Sequence, residues 1–260
     1  MFERIKVTQI NDYIWLMNDN DEATGYLVTG EKKALVIDTM NGLEDVKAVV
    51  RTLTDLPVTV VNTHGHPDHI YGNVYFGEAY IHPADMELAR QYYEDESFLK
   101  TARALGVNVG AEPAVLKPVY PGECFDLGGV SLEVIGIPGH TPGGIALLDR
   151  KSRILFSGDS ILEQTWMQMP ECLPMQDFLK SLYDLEKYRD AFDWLLTGHG
   201  KALEDAALYE VHCKAVEEVC QGINEMDEPY EWFGGVHRAH PYGPEPRRIC
   251  YDVDRLKLSM

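Results

Sequence analysis

The sequence predicts an α/β chain in which β-sheets pack between helices, and three observations carry that expectation. The first 38 residues are short β-rich runs separated by turn residues, which is the pattern of a meander. Apolar residues then recur at helical spacing in several segments that alternate with further β-like runs. Across all 260 residues, 45% of them apolar, no stretch approaches the roughly 18 uncharged apolar residues that a membrane span needs.

In chain order, Ile14 to Met17, Gly25 to Thr29 and Ala34 to Ile37 read as strands, punctuated by Asn18 to Asp21 and Gly30-Glu31. Leu43, Val46, Val50 and Leu53 repeat at helical spacing and stop before Pro57, and Val58 to Val61 is a continuous apolar run of the buried-strand type. Met86 to Tyr93 reads as a helix started by Pro83, whereas Glu94 to Gly110 is polar and weakly patterned. Val130 to Ile137, Ile145 to Leu148 and Arg153 to Phe156 are β-like, and Phe178, Leu182 and Leu185 mark a helix. A strand at Trp194 to Thr197 precedes a long helix in Leu203 to Ile223, with Leu208, Val211, Ala215 and Val219 on one face. Arg248 to Tyr251 reads as a last edge strand. No Pro/Gly/Ser linker divides the chain, so a single domain over residues 1–260 is expected.

Lys and Arg number 23 against 42 Asp and Glu, a net charge of −19. Such a surface repels phosphate backbones, so nucleic acid is not an expected partner. The first residues carry Glu3, Arg4 and Lys6 with no apolar signal region behind them, and five widely spaced cysteines lack any CxxC pairing. Both features suit a soluble chain in the reducing cytoplasm.

The chemistry is concentrated after the buried strand, in Asn62-Thr63-His64-Gly65-His66-Pro67-Asp68-His69. Three imidazoles and a carboxylate within six residues form a metal-ligand set, and chance would produce HxHxDH in roughly one in a thousand chains of this composition. Alternate residues His64 and His66 can face one side, while Asp68 and His69, beyond the turn at Pro67, can reach a second ion. Three further segments each end a β-rich run with glycine and one ligand-capable residue: Pro138-Gly139-His140, Ser157-Gly158-Asp159 and Thr197-Gly198-His199. Together they supply seven ligands, enough for two ions with a position left for water.

These motifs, in this order, resemble the metallo-β-lactamase superfamily of dinuclear metallohydrolases. The resemblance spans about Ile5 to Lys201 and implies a four-layer αβ/βα sandwich with the metals at one edge. It also implies His64, His66 and His140 on one ion, Asp68, His69 and His199 on the other, and Asp159 as a bridge. Two divalent ions, zinc first with iron or manganese as alternatives, would hold a bridging hydroxide whose pKa falls toward 7. Asp68 would be a ligand and also an acceptor for the proton of that water.

Bridging by Asp159 resembles the thioesterase, lactonase and phosphodiesterase branches and disfavours true β-lactamase activity. The expected function is therefore metal-dependent hydrolysis of a small ester-like substrate, thioester or lactone ahead of phosphodiester. The competing class is a mononuclear-iron persulfide dioxygenase, whose relatives retain HxHxDH. For substrate binding, Glu163 to Met175 offers Trp166 and several Met either as an apolar lid or as core packing, and Arg247 with Arg248 can receive an anionic group. The turn Asn18 to Thr24 occupies a site-flanking position in the resembling family. His82, His212, His237 and His240 complete no metal pattern, Cys172 has no identifiable base, and a homo-oligomer is left open.

Overall fold

A computed structural model describes residues 2–104, 114–232, 235–244 and 246–256. Seven strands form the first sheet in sequential order: β1 (Ile5–Asn11), β2 (Ile14–Asp19), β3 (Ala23–Thr29), β4 (Ala34–Ile37), β5 (Val58–Val61), β6 (Glu78–Ile81) and β7 (Val115–Pro118). Tight turns make β1 to β4 antiparallel, and crossovers make β4 to β7 parallel. The helices α1 (Val46–Arg51), α2 (Pro67–Ile70), α3 (Met86–Tyr93) and α4 (Glu96–Ala104) lie in those crossovers. The weakly patterned stretch after Tyr93 thus starts with a helix, and residues 105–110 of it lie outside the described residues.

The second sheet comprises β8 (Cys124–Asp126), β9 (Ser131–Gly136), β10 (Ile145–Asp149), β11 (Ile154–Gly158), β13 (Trp194–Thr197) and β14 (Glu204–Asp205), ordered β14-β13-β11-β10-β9-β8. The helix α5 (Met175–Leu185) precedes β13 in the chain, and α6 (Ala207–Gln221) follows β14. A third sheet, absent from the sequence reading, has the order β12-β17-β16-β15, with β12 (Gln164–Met167), β15 (Glu228–Trp232), β16 (Gly235–Pro241) and β17 (Arg248–Tyr251).

Side-chain alternation along the strands sorts the core into layers. Leu35 and Ile37 of the first sheet meet Leu147, Ile154 and Phe156 of the second in one buried cluster between the sheets. Their alternating neighbours Ala34 and Val36 pack outward on Val46, Val49 and Val50 of α1. Ala146, Leu148 and Leu155 pack on the other side against Phe178 and Leu182 of α5, Val216 of α6, and Ile249 of the third sheet. The result is the four-layer αβ/βα sandwich.

Arg248 to Tyr251 is an inner strand rather than an edge, hydrogen-bonded to β12 on one side and β16 on the other, because residues 228–241 supply a hairpin that covers it. The long helix starts at Ala207 rather than Leu203, since Glu204 and Asp205 pair with β13, and it ends at Gly222, whose φ of 78° is the left-handed cap that glycine tolerates. Among the described residues no helix is long and apolar enough to cross a membrane.

Candidate metal centre

All seven predicted ligands follow the C-terminal ends of strands. β5 leads into the loop carrying His64 and His66, and Pro67 at the first position of α2 starts the turn that presents Asp68 and His69. His140 follows β9, while Asp159 and His199 follow β11 and β13, which run parallel with Gly158 opposite Thr197. The centre therefore lies where one edge of the first sheet meets the matching edge of the second, and glycine is required there. A Cβ at Gly198 would collide with Asp159 Oδ1 and His69 Cε1.

Ligand-capable atoms converge in three groups, each within 4.8 Å: His64, His66 and His140; His64, His69 and Asp159; and Asp68, His69 and His199. His66 Nδ1 lies 2.9 Å from His140 Nε2, and His199 Nε2 lies 3.0 Å from Asp159 Oδ2. Asp68 Oδ2 stands 3.4 Å from His69 Nε2 and 3.5 Å from His199 Nε2. At the middle, His64 Nε2, His69 Nε2 and Asp159 Oδ1 are buried without a hydrogen-bond partner. An orphaned buried polar atom is costly, and three aimed at one place are the signature of a set built for a cation.

Each imidazole is held by its other nitrogen. His69 Nδ1 donates to Asp38 Oδ2 at 3.0 Å, His140 Nδ1 to the Trp166 carbonyl at 2.7 Å, and His199 Nδ1 to the Glu22 carbonyl at 2.8 Å. His66 Nε2 donates to Glu171 Oε1 at 2.7 Å. The Thr63 hydroxyl gives its proton to Asp38 at 2.7 Å and accepts from His64 Nδ1 at 3.0 Å. Oxygen acceptors on the outward nitrogens fix the tautomer of each neutral imidazole, whose inward nitrogen then carries the lone pair a cation would take.

Burial opposes charge on His64, His140, His69, His199, Asp68 and Asp159, and on the last four the local partners outweigh it. Burial and the neighbouring imidazoles His69 and His66 press His64 well below the usual histidine range, and burial with His66 presses His140 down to about 4. Burial is outweighed at His69, which Asp68, Asp159 and Asp38 push well above its ordinary value, and at His199, raised by Asp159 and Asp68. Asp68 and Asp159 are correspondingly lowered, against burial, by His69 and His199.

Sequence reading missed the supporting residues. Asp38, Thr63, Glu171 and Asp85 carry no local motif, and their partners are remote in the chain. Asp85 is fully buried and ties the first and second ligand loops together, accepting from Gly65 N at 2.9 Å, Thr141 Oγ1 at 2.6 Å and Gly143 N at 2.6 Å. Asp38 has φ 57°, an uncommon value for a non-glycine residue.

The segment Glu163 to Met175 is mostly packing rather than lid. Met167, Met169, Cys172 and Met175 are in the core, and Glu171 grips His66. Trp166 sets its ring 5.4 Å from that of His199, and with Leu162, Gln164, Gly200 and Ala202 it lines a cleft of about 250 Å³. Arg247 lies 4.0 Å from Glu163 and 3.8 Å from Glu204, while Arg248 sits in β17 opposite Gln164. Neither arginine contacts a predicted ligand among these interactions. The Asn18 to Thr24 turn flanks the site, supplying the Glu22 carbonyl and a Thr24 hydroxyl that donates to the Gly200 carbonyl at 2.8 Å. Burial and the Glu171 charge push the Cys172 thiol up to about 12, which disfavours a thiolate nucleophile. His212 and His240 are buried, the latter between Asp227 and Glu218, and neither joins the centre.

The comparisons with known proteins agree with this architecture. The chain is 29% identical over 228 residues to "Acyl-coenzyme A thioesterase MBLAC2" of Gallus gallus, covering 78% of this chain and 82% of that protein. It is 31% identical over 168 residues to the Homo sapiens protein of the same name, covering 55% and 60%. Among solved structures, the DIM-1 metallo-beta-lactamase superposes with a TM-score of 0.63 at 19% identity, over 84% of this chain and 98% of that one. A sec-alkylsulfatase, Pisa1 of Pseudomonas sp., gives 0.64 at 17% identity, over 84% of this chain and 42% of that one. The sequence pattern of the metallo-beta-lactamase superfamily matches residues 20–202, and the chain belongs to that superfamily.

Proposed function

We propose that the chain, acting as one domain over residues 1–260, is a dinuclear metal-dependent hydrolase of thioesters, with lactones and phosphodiesters as less favoured substrates. The observation that carries the dinuclear reading is the trio of buried, unpartnered inward atoms, His64 Nε2, His69 Nε2 and Asp159 Oδ1, lying where the three ligand groups overlap. His64, His66 and His140 would hold one ion, and Asp68, His69 and His199 the other. Asp159 would be shared, because it stands 3.5 Å from His69 and 3.6 Å from His140. Zinc suits imidazole and carboxylate donors, with iron and manganese as alternatives. When bound, two such ions supply a water of lowered pKa as nucleophile and a Lewis acid for the scissile carbonyl.

The chain's own residues do the rest. The five outward hydrogen bonds hold the imidazoles rigid, so little reorganisation accompanies the reaction. Asp68, 29% exposed and flanked by His69 and His199, is placed to take a proton from the attacking water and return it to the leaving thiolate. Trp166 walls the cleft beside His199 and excludes water from one side. The choice of thioester is supported by the relatives named acyl-coenzyme A thioesterases.

The test is a comparison of zinc- and iron-reconstituted protein on acyl-coenzyme A, a lactone and a phosphodiester, with metal content measured on the same samples. Thiol release from acyl-coenzyme A by protein holding two ions per chain is the expected result. One iron per chain with oxygen consumption on a persulfide would overturn it in favour of a dioxygenase.

A further inference from the structure

The outer face of the third sheet is continuous with the metal centre. Trp166 stacks its edge 5.4 Å from His199 and lies 5.4 Å from the ring of Trp232, which is 6.4 Å from Tyr230. The Tyr230 hydroxyl accepts from Trp166 Nε1 at 2.9 Å and from Gln164 Nε2 at 3.2 Å, so the four side chains share one face. Directly cross-strand residues also share a face, and β12 and β17 pair Gln164 with Arg248. Arg248 is thus the next group along the same surface. With ~3.3 Å per residue and ~4.8 Å between strands, it is roughly 8 Å from Trp166, backbone to backbone.

Arg248 and Arg247 line a cavity of about 470 Å³ together with Glu228, Ala239, Pro241 and Tyr242. Arg248 Nε is buried with no hydrogen-bond partner, an unsatisfied donor beside a polar cavity. Arg247 is loosely matched by Glu163 and Glu204 at 4.0 and 3.8 Å, longer than hydrogen bonds, and Glu228 is the carboxylate in the cavity wall. Residues 228–251 carry three arginines and three glutamates, so this segment is neutral in a chain of net charge −19. This segment repels an anion less than the strongly acidic chain does on average.

We propose that this face is the subsite for the leaving-group arm of the thioester: the apolar part of the arm lies on Trp166, Trp232 and Tyr230, and a phosphate group is bound by Arg248, with Arg247 beside it. The acyl group would take the adjoining cleft that Trp166 and His199 line together with Leu162, Gly200 and Ala202. An aromatic row suits an extended chain of amides and methylenes, and a guanidinium binds phosphate through paired N–H donors. This proposal rests on the thioester reading, and its test separates the two.

Acyl-coenzyme A is compared with the N-acetylcysteamine thioester of the same acyl group, which lacks the phosphates, and with the dephospho-coenzyme A thioester. Wild type should favour acyl-coenzyme A in kcat/KM by about tenfold or more. Arg248→Met should lower that ratio toward one by raising KM, while metal content stays at the wild-type value. Trp232→Ala should raise KM for both thioesters. Should the dephospho substrate behave like acyl-coenzyme A, the diphosphate is the bound group; should it behave like N-acetylcysteamine, the 3′-phosphate is. Equal use of the phosphorylated and unphosphorylated thioesters by wild type, or a ratio unaltered in Arg248→Met, would overturn the subsite while leaving thioester hydrolysis standing. Absence of hydrolysis of every thioester would instead overturn the reading beneath it.

Discussion

Asp38 holds His69 and Thr63 at once: its Oδ2 accepts from His69 Nδ1 at 3.0 Å and from the Thr63 hydroxyl at 2.7 Å, and its Oδ1 accepts from Thr63 N at 2.8 Å. One carboxylate therefore orients His69 directly and His64 through Thr63. Asp38→Asn keeps size and tolerates the positive φ, but it places an amide donor where a proton already points. Metal affinity or activity should fall about 10- to 100-fold. Chelator competition on the purified variant, with circular dichroism to confirm folding, checks this.

Glu171→Gln tests the outward hold on His66. Burial raises the acid's pKa, but the His66 hydrogen bond outweighs it and keeps Glu171 ionised below its ordinary value. Gln retains an acceptor without the charge, so a loss of about tenfold in metal affinity is expected, and more for Glu171→Ala. Wild-type resistance to a chelator in both variants would show that His66 needs no such partner.

Asp159→Ala removes the carboxylate proposed to be shared and one of the three orphaned inward atoms. Elemental analysis should show fewer than two ions per chain, and turnover should fall far more than the thermal stability of the metal-free protein. Wild-type hydrolysis with both ions retained would refute the bridging assignment.

Gly198→Ala should prevent assembly of the centre without unfolding the sandwich, because the added methyl meets Asp159 and His69 rather than the core. A folded protein that binds little metal is the expected outcome of a zinc titration followed by circular dichroism.

His212 supplies a pH prediction remote from the metals. It is fully buried, its Nε2 lies 2.8 Å from Thr165 Oγ1, and burial presses its pKa down to about 3. A histidine whose folded pKa is depressed stabilises the fold above its unfolded pKa, and that contribution is lost as pH falls below about 6.5 toward the folded value. Over that window the wild type should lose about 1.4 kcal/mol per pH unit relative to His212→Leu. Urea unfolding of both proteins between pH 6.5 and 4.5 measures the difference, and parallel slopes would contradict it.

The sequence by itself determined the candidate donors and the strands that carry them. His64, His66, Asp68 and His69 fall within one loop after a strand legible from its continuous apolar run, and the other donors each follow a glycine at a strand end. Such signals survive because they are local, depending on residue type, spacing and side-chain alternation. What orients those donors was decided only by the tertiary structure. His66 meets Glu171 across 105 residues, His199 meets the Glu22 carbonyl across 177, and His69 meets Asp38 across 31. The third sheet is of the same kind: β12 pairs in parallel with β17 more than eighty residues later, so Arg248 reads as an edge from its neighbours yet lies between two strands. Hydrogen bonds between distant segments leave no periodicity in the chain, since each residue need only be an acceptor of the right reach once packing has brought it there.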